Sequence, residues 1–408
     1  MMKILRCSNL IDGTGRPSIQ NAIIVVDGSR IAAVGQESEV DIPRDAQEID
    51  CSGKTVIPGL IDTHLHFALG PGGNYGEQFQ NPDGVQLASG VVNAGFTLES
   101  GVTTARDLGA RNRVALDLRE AERRGIITAP RLLVCGRSVT ITGGHFHYCN
   151  AEADGREGVR KITRQLLKEG VDFIKIMTSG GGTPGTRREM PSYTADEIAA
   201  AVEEAHRHGK TVTAHCHATK AIANAVEAGV DIIEHCSFLE PDGRRIRHVF
   251  QEDLAKEIVR KGIYIDNVLN PQQLDRTRQE WCFDNFNRFR KLGAKILPGT
   301  DGLRLYQTAN MAIALEMWIQ CGVSPIEVIM SGTKTAAEAS GVDDIVGTLE
   351  IGKEADLVVV DGDPLVNMRA LRDPCIVMKR GEIVPFSGRT EAKAERDRLA
   401  EKILAMLG

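Results

Sequence analysis

Eight short apolar runs, each followed by a loop and an amphipathic helical stretch, constrain this 408-residue chain more than any other feature. The runs are GLIDTHLH, VTTARDL, RLLVCG, DFIKIMTS, TVTAHCH, DIIEHCS, IYIDNVL and KILPGTD. Strands that alternate with helices build parallel sheets, because a parallel return needs a crossover long enough to hold a helix. Eight such units close a (β/α)8 TIM barrel, so the predicted fold class is α/β. The intervening helices are legible as well. In TADEIAAAVEEAHRHG, Thr194 is the expected N-cap, Glu197 completes a capping box and Gly209 ends the helix.

Ahead of the barrel units, ILRCSNLID, AIIVVDG and RIAAVGQ read as short strands separated by Gly and Asp turns. LEIGKEADLVVVDGDP and PCIVMKRGEIV repeat that texture near the other end. The two ends are expected to pair into one small, discontinuous β-sandwich domain from residues 1–57 and 345–388, with the barrel over 58–344. The tail 389–408 has helical spacing and reads as a surface or dimer helix. Two stretches, Phe67 to Val92 and Gly180 to Ser192, are Gly-rich with little periodicity and read as active-site loops.

Composition narrows the partners. A formal charge of -6, from 49 basic and 55 acidic side chains with no block of one sign, argues against nucleic acid and anionic membrane. The start MMKILRCSNLIDGTG has no signal-peptide pattern and no later run is long enough for a bilayer, so a cytoplasmic homo-oligomer acting on a small-molecule substrate is expected. Nine scattered cysteines, never spaced Cys-x-x-Cys, read as reduced thiols and not as a disulfide framework or thiolate zinc site.

The chemistry starts at His64-Leu65-His66. Side chains alternate along a strand, so these two imidazoles project to one face and offer two nitrogens to one cation. Barrel enzymes carry reactive groups at the carboxyl ends of their strands. There the first strand has His64 and His66, the fourth Lys175, the fifth His215 and His217, the sixth His235 and the eighth Asp301. All but His217 suit ligands around two metal ions. Taken singly, His235 reads as a hydrogen-bonded core histidine, Lys175 as a snorkelling lysine and Asp301 as an N-cap. Taken together, independent structural residues would not select the same end of five strands. Lys175 lies in VDFIKIMTS, where an ammonium facing imidazoles and cations is unfavourable. A neutral amine at that position can instead take up carbon dioxide as a carbamate, whose two oxygens bridge two metals.

These motifs resemble the amidohydrolase superfamily: HxH on the first strand, the lysine of IKIMTSGG, and the histidines and aspartate of TAHCH, IEH and GTD. Within it the chain is similar to the prolidase-like and imidazolonepropionase-like metal-dependent members, from PGLIDTHLH through GVTTARDLG, TGGH and AGVDIIEH to GTLEIGKEADLVVVDGDP. The resemblance implies that His64 and His66 bind one divalent ion and that a carboxylated Lys175 bridges to a second ion held by His215 and His235. It places Asp301 on the first. Zn is expected, with Mn, Fe and Co also suited to these ligands.

The same resemblance implies a metal-bridged hydroxide as nucleophile, Asp301 as general acid/base and His145 of TGGH as a donor to the carbonyl oxygen. His217 shares the face of His215 and reads as a substrate contact, at a point where prolidase-like relatives often carry tyrosine. His147, Tyr148, Arg187 and Arg188 are further candidate contacts, a guanidinium being suited to a substrate carboxylate.

The expected reaction is hydrolysis of an amide in an N-acyl amino acid or a dipeptide with a free carboxylate. Hydrolysis of a cyclic amide or amidine, ring deamination and a catalytically silent assembly protein are the alternatives. Lys175 weighs against a one-metal deaminase, and six retained donors weigh against silence. Cys216 and Cys236 are expected to face the barrel wall. His206, His208 and His248 are expected to lie away from the metals, His248 within a charged helical stretch, RRIRHVFQEDLAKEIV.

Overall fold

The computed structural model describes residues 2–70, 75–266, 268–269, 275–302 and 311–387, with scattered positions after 387. The helix expected over 389–408 therefore falls largely outside the described residues. The chain first forms β1 (Lys3–Leu10), β2 (Ile19–Asp27), β3 (Arg30–Gln36) and β4 (Gln47–Pro58). The barrel strands follow: β5 (Leu60–Leu65), β6 (Val102–Asp107), β7 (Arg131–Val134), β8 (Ile174–Met177), β9 (Val212–Ala218) and β10 (Ile232–Asp242). A short strand β11 (Arg245–His248) precedes the last two, β12 (Tyr264–Asp266) and β13 (Ile296–Leu297). The chain then returns as β14 (Leu357–Asp361), β15 (Pro374–Lys379) and β16 (Glu382–Ile383).

The two ends pair as the sequence suggests. They form one seven-stranded sheet in the order β16-β15-β14-β4-β1-β2-β3, with β14 antiparallel to β4 in the register Val358↔Ile57. Period-two side chains explain its packing: Leu5 and Cys7 of β1, Ala22, Ile24 and Val26 of β2, and Leu357 and Val359 of β14 share one buried cluster with Met378 of β15. The sandwich-like domain is thus one continuous sheet whose near and far strands close on a single core.

All eight strands expected for the barrel are present and run parallel in two hydrogen-bonded arcs, β5-β6-β7 and β8-β9-β10-β12-β13. Single bridges join the arcs at two seams, Val139↔Ile176 and Leu65↔Gly302. At the first seam Val139 N donates to Lys175 O at 2.9 Å and Met177 N to Val139 O at 2.8 Å. At the second, His66 N donates to Gly302 O at 3.0 Å and Asp301 N to His64 O at 2.7 Å. Sheet and barrel are contiguous, since β4 runs into β5 across Gly59, where a Cβ would sit 2.0 Å from Thr103 Oγ1.

A second tie is ionic. Arg131, at the start of β7, reaches Thr104 Oγ1 at 2.8 Å and Asp356 Oδ2 at 3.0 Å, and also pairs with Glu354 on the run into β14. The Thr194 capping box forms as expected, with Glu197 N donating to Thr194 Oγ1 at 3.4 Å.

Two readings are corrected. The stretch from Phe67 to Val92 is not all loop, because a helix over Asp83–Glu99 begins inside it and buries Gln86, Gly90 and Asn93. RRIRHVFQEDLAKEIV is not one helix: Arg245–His248 pairs antiparallel with the end of β10, and the helix covers only Glu252–Arg260. Among the described residues, no helix is long and apolar enough to cross a membrane.

Candidate metal centre

The barrel mouth is built outward from the end of β5. His64 Nδ1 lies 2.6 Å from Glu234 Oε2, and His66 Nδ1 lies 3.1 Å from the Gly109 carbonyl. Each ring is fixed by an acceptor at Nδ1 and turns Nε2 into the mouth, 3.3 Å and 3.7 Å respectively from Asp301 Oδ1. Burial, with the His64 charge beside it, takes His66 down to about 3, which leaves it neutral. Burial also works against a charge on His64, but Glu234 and Asp301 outweigh it and raise the ring to about 10. Two carboxylates around one imidazole make a setting in which a cation can replace the second ring proton.

Strand alternation alone would not bring His235 to this point. Glu234 and His235 are neighbours on β10, so a regular strand sends them to opposite faces, and Glu234 already occupies the inner one. The backbone resolves the conflict with left-handed residues, His235 at φ 65°, Cys236 at φ 45° and Phe238 at φ 49°. The β9–β10 register slips between His235 and Leu239 as a result. The His235 ring then lies 5.3 Å from that of His64 and 4.8 Å from that of His215. Asp301 has φ 52° at the opposite seam. A non-glycine residue held there costs on the order of 1–3 kcal/mol, and such strain concentrates at functional sites.

Lys175 on β8 is 1% exposed, and its Nζ has no hydrogen-bond partner among the described residues. Burial lowers its pKa, favouring the neutral amine. His215 engages the Gly180 carbonyl through Nε2 at 3.3 Å, which leaves Nδ1 as the nitrogen that could meet a cation. His145 sets Nδ1 at 2.8 Å from Thr183 Oγ1, and its ring packs so closely on the loop that a Cβ at Gly181 would stand 2.3 Å from Nε2. Gly181 therefore serves close approach to this histidine.

Donor atoms of His64, His235 and Asp301 lie within 4.8 Å of one another, as do those of His215, His217 and His235. Two overlapping clusters of nitrogen and oxygen donors, with a buried amine that has no partner among the described residues lining the same cavity, fit a pair of divalent cations. His217, expected only as a substrate contact, comes close enough to be a further imidazole ligand.

A cavity of about 200 Å³ opens over this cluster and is lined by all six expected donors together with His145, His217 and Arg188. Three expected contacts are elsewhere. Arg187 turns away to Glu189, two residues on, at 2.7 Å from Nε. His147 is held by the Gly144 carbonyl at 3.0 Å, and Tyr148 stacks on Phe79 with ring centroids 6.0 Å apart. As expected, Cys216 and Cys236 are buried, His206 pairs with Asp231 and His248 bonds Asn285, all off the metal cluster.

The sequence reading missed the acidic floor. Glu234, Asp266 and Asp62 are fully buried beneath the histidines, and burial raises Asp62 to about 7. Asp62 accepts from Thr300 Oγ1 at 2.7 Å and from His64 N at 3.1 Å, which knits β5 to the turn after β13. The available signal was a carboxylate inside each of three otherwise apolar strands, LIDTH, DIIEH and IYID.

The chain is similar to several known proteins. Ochratoxinase of Aspergillus niger is 27% identical over 420 residues, covering 91% of this chain and 83% of that protein. An imidazolonepropionase of Rhizobium rhizogenes is 25% identical over 85% of this chain and 88% of its own length. The solved structure of a prolidase complexed with N-methylphosphonate-L-proline superposes with a TM-score of 0.84 at 28% identity, over 94% of this chain and 99% of that one. Residues 55–384 match the Amidohydrolase family, and the chain belongs to it, a family whose related members are hydrolases acting on carbon–nitrogen bonds.

Proposed function

We propose that the protein is a two-metal hydrolase that cleaves the amide of an N-acyl amino acid or of a dipeptide with a free carboxylate. The observation that carries this reading is Lys175, a buried amine without a hydrogen-bond partner among the described residues, lining the same cavity as the imidazole clusters. His64, His66 and Asp301 would hold one ion, and His215 and His235 the other. A divalent pair, when bound, lowers the pKa of water toward neutrality and polarises a carbonyl oxygen. Lys175, as a neutral amine, would add carbon dioxide by forming one N–C bond and losing one proton, and the resulting carbamate would supply an anionic ligand to the cations.

The remaining steps belong to side chains of this chain. Burial would raise the Asp301 carboxyl, but the His64 charge beside it outweighs that and holds the group well below the usual carboxylate range. An ionised carboxylate at that point accepts a proton at Oδ1 and returns it to the leaving nitrogen. Burial keeps His145 neutral, so its ring N–H can donate to the oxygen that gains charge in the transition state. Arg188, half-buried at the cavity wall, suits a substrate carboxylate through paired N–H donors. The prolidase complex supports that choice, since its ligand is an amino acid with phosphorus on nitrogen and a free carboxylate.

The test is turnover by metal-loaded protein on N-acyl amino acids, dipeptides, lactams and carboxamide versions of the same compounds. Cleavage confined to free carboxylates is expected. Turnover of lactams alone would move the assignment to cyclic amides, and no turnover of any carboxylate-bearing amide would overturn it. Asp301→Asn is expected to lose about 10²–10⁴-fold in kcat with an unchanged circular dichroism spectrum. Near wild-type activity would remove Asp301 from the mechanism.

A further inference from the structure

Above the polar floor, the cavity wall is apolar and comes from two elements outside the barrel ladder. The end of β10 folds back as β11, pairing Leu239 with His248, and this hairpin contributes Leu239 and Ile246 to the cavity. The helix Arg276–Lys291 contributes Arg278, Trp281, Cys282 and Asn285, a spacing of i, i+3, i+4 and i+7 that lies on one helical face. That face is anchored. Asn285 Nδ2 donates to the Cys236 carbonyl at 3.2 Å, and its Oδ1 lies 2.7 Å from His248 Nε2. The His248 ring stacks on the Trp281 indole, with centroids 5.6 Å apart and an interplanar angle of 16°. Val268, beyond β12, completes the wall. Ile246 is 37% exposed although it lines a cavity, which leaves apolar surface available to a ligand.

We propose that Trp281, Leu239, Ile246 and Val268 form a subsite for the acyl group of the substrate, selecting a bulky apolar acyl chain, aromatic in particular, over acetyl. This rests on the reading of the protein as an N-acyl amino acid hydrolase and names the acyl class it takes. The same cavity carries two guanidiniums beside this apolar surface, Arg188 on the loop after β8 and Arg278 one turn before Trp281 on the wall helix. A ligand that carries both a carboxylate and an apolar group matches that lining. The indole held flat by His248 gives a preformed face on which a phenyl ring can lie, without the ordering cost of a mobile side chain.

The test uses the metal-loaded wild-type protein and its Trp281→Ala and Trp281→Phe variants. Kinetics compare N-acetyl with N-(3-phenylpropanoyl) derivatives of one amino acid. Calorimetry compares the free acids propanoate and 3-phenylpropanoate, which share a carboxylate and are not hydrolysed. The expected result is at least tenfold tighter binding and tenfold higher kcat/KM for the phenyl member of each pair. Trp281→Ala should collapse both ratios to within threefold, and Trp281→Phe should retain most of each. Equal binding of the two acids by the wild type, or an undiminished ratio in Trp281→Ala, would overturn the subsite. A phenyl preference in binding without turnover of any N-acyl amino acid would uphold the subsite and defeat the hydrolase reading on which its role rests.

Discussion

Glu234 touches the cavity only through His64, yet it decides which nitrogen that ring presents. By accepting at Nδ1 it keeps Nε2 toward the mouth, and replacing such a partner typically weakens metal binding by about 10–100-fold. Glu234→Gln is expected to lower metal affinity by that order in a chelator competition at fixed pH, with secondary structure unchanged, and an unaltered affinity would refute the role. Among the six candidate donors, His64, His66, Lys175 and His215 follow strand alternation, whereas Asp301 lies beyond β13 at a left-handed φ of 52°. His235 has the wrong parity for the mouth until the left-handed turn at φ 65° re-aims it. Nothing in a histidine or an aspartate announces a positive φ, which the sequence signals only when glycine occupies the position. Arg187 and Arg188 were equally plausible, because a loop has no period to tell neighbours apart. The carboxylate at Glu189 is what diverts one of them.

Elements were readable where one period persisted. The barrel strands and the capped helix after Thr194 fit that description, whereas RRIRHVFQEDLAKEIV changes from strand to helix within a few residues and its charges mask the change. Strand pairing also sets up a consequence for alkaline stability. Cys7 and Cys51 face each other across β1 and β4, and burial raises their thiols to about 12 and about 11. The folded sheet keeps these protons, while the unfolded chain loses them above the ordinary thiol value of 9.0. Their contribution to stability is therefore complete below pH 9 and is lost as pH rises toward 11–12. Thermal melts should fall in Tm from pH 9 to 11, and a Cys7→Ala/Cys51→Ala variant should show a shallower fall. An equal slope in the two proteins would show that these thiols do not govern it.

At the scale of the molecule, sheet and barrel behave as one body because Arg131 binds both. Removing its guanidinium leaves Asp356, itself buried, without its counter-charge, a change that costs about 3–5 kcal/mol in comparable buried pairs. Arg131→Met should show that loss in chemical denaturation, and a loss under about 1 kcal/mol would place the tie elsewhere. The two seams of the barrel reach further. His64 and His66 stand on one arc, Lys175, His215 and His235 on the other, and Asp301 just past the junction between them. Ions gripped from both banks would rivet a ring that the backbone fastens only lightly, so chelation should quicken amide exchange at Val139, Met177, His66 and Asp301 while Ile24 in the outer sheet stays protected. Starved of metal, such an enzyme would lose its grip on its own frame at the moment it lost its chemistry.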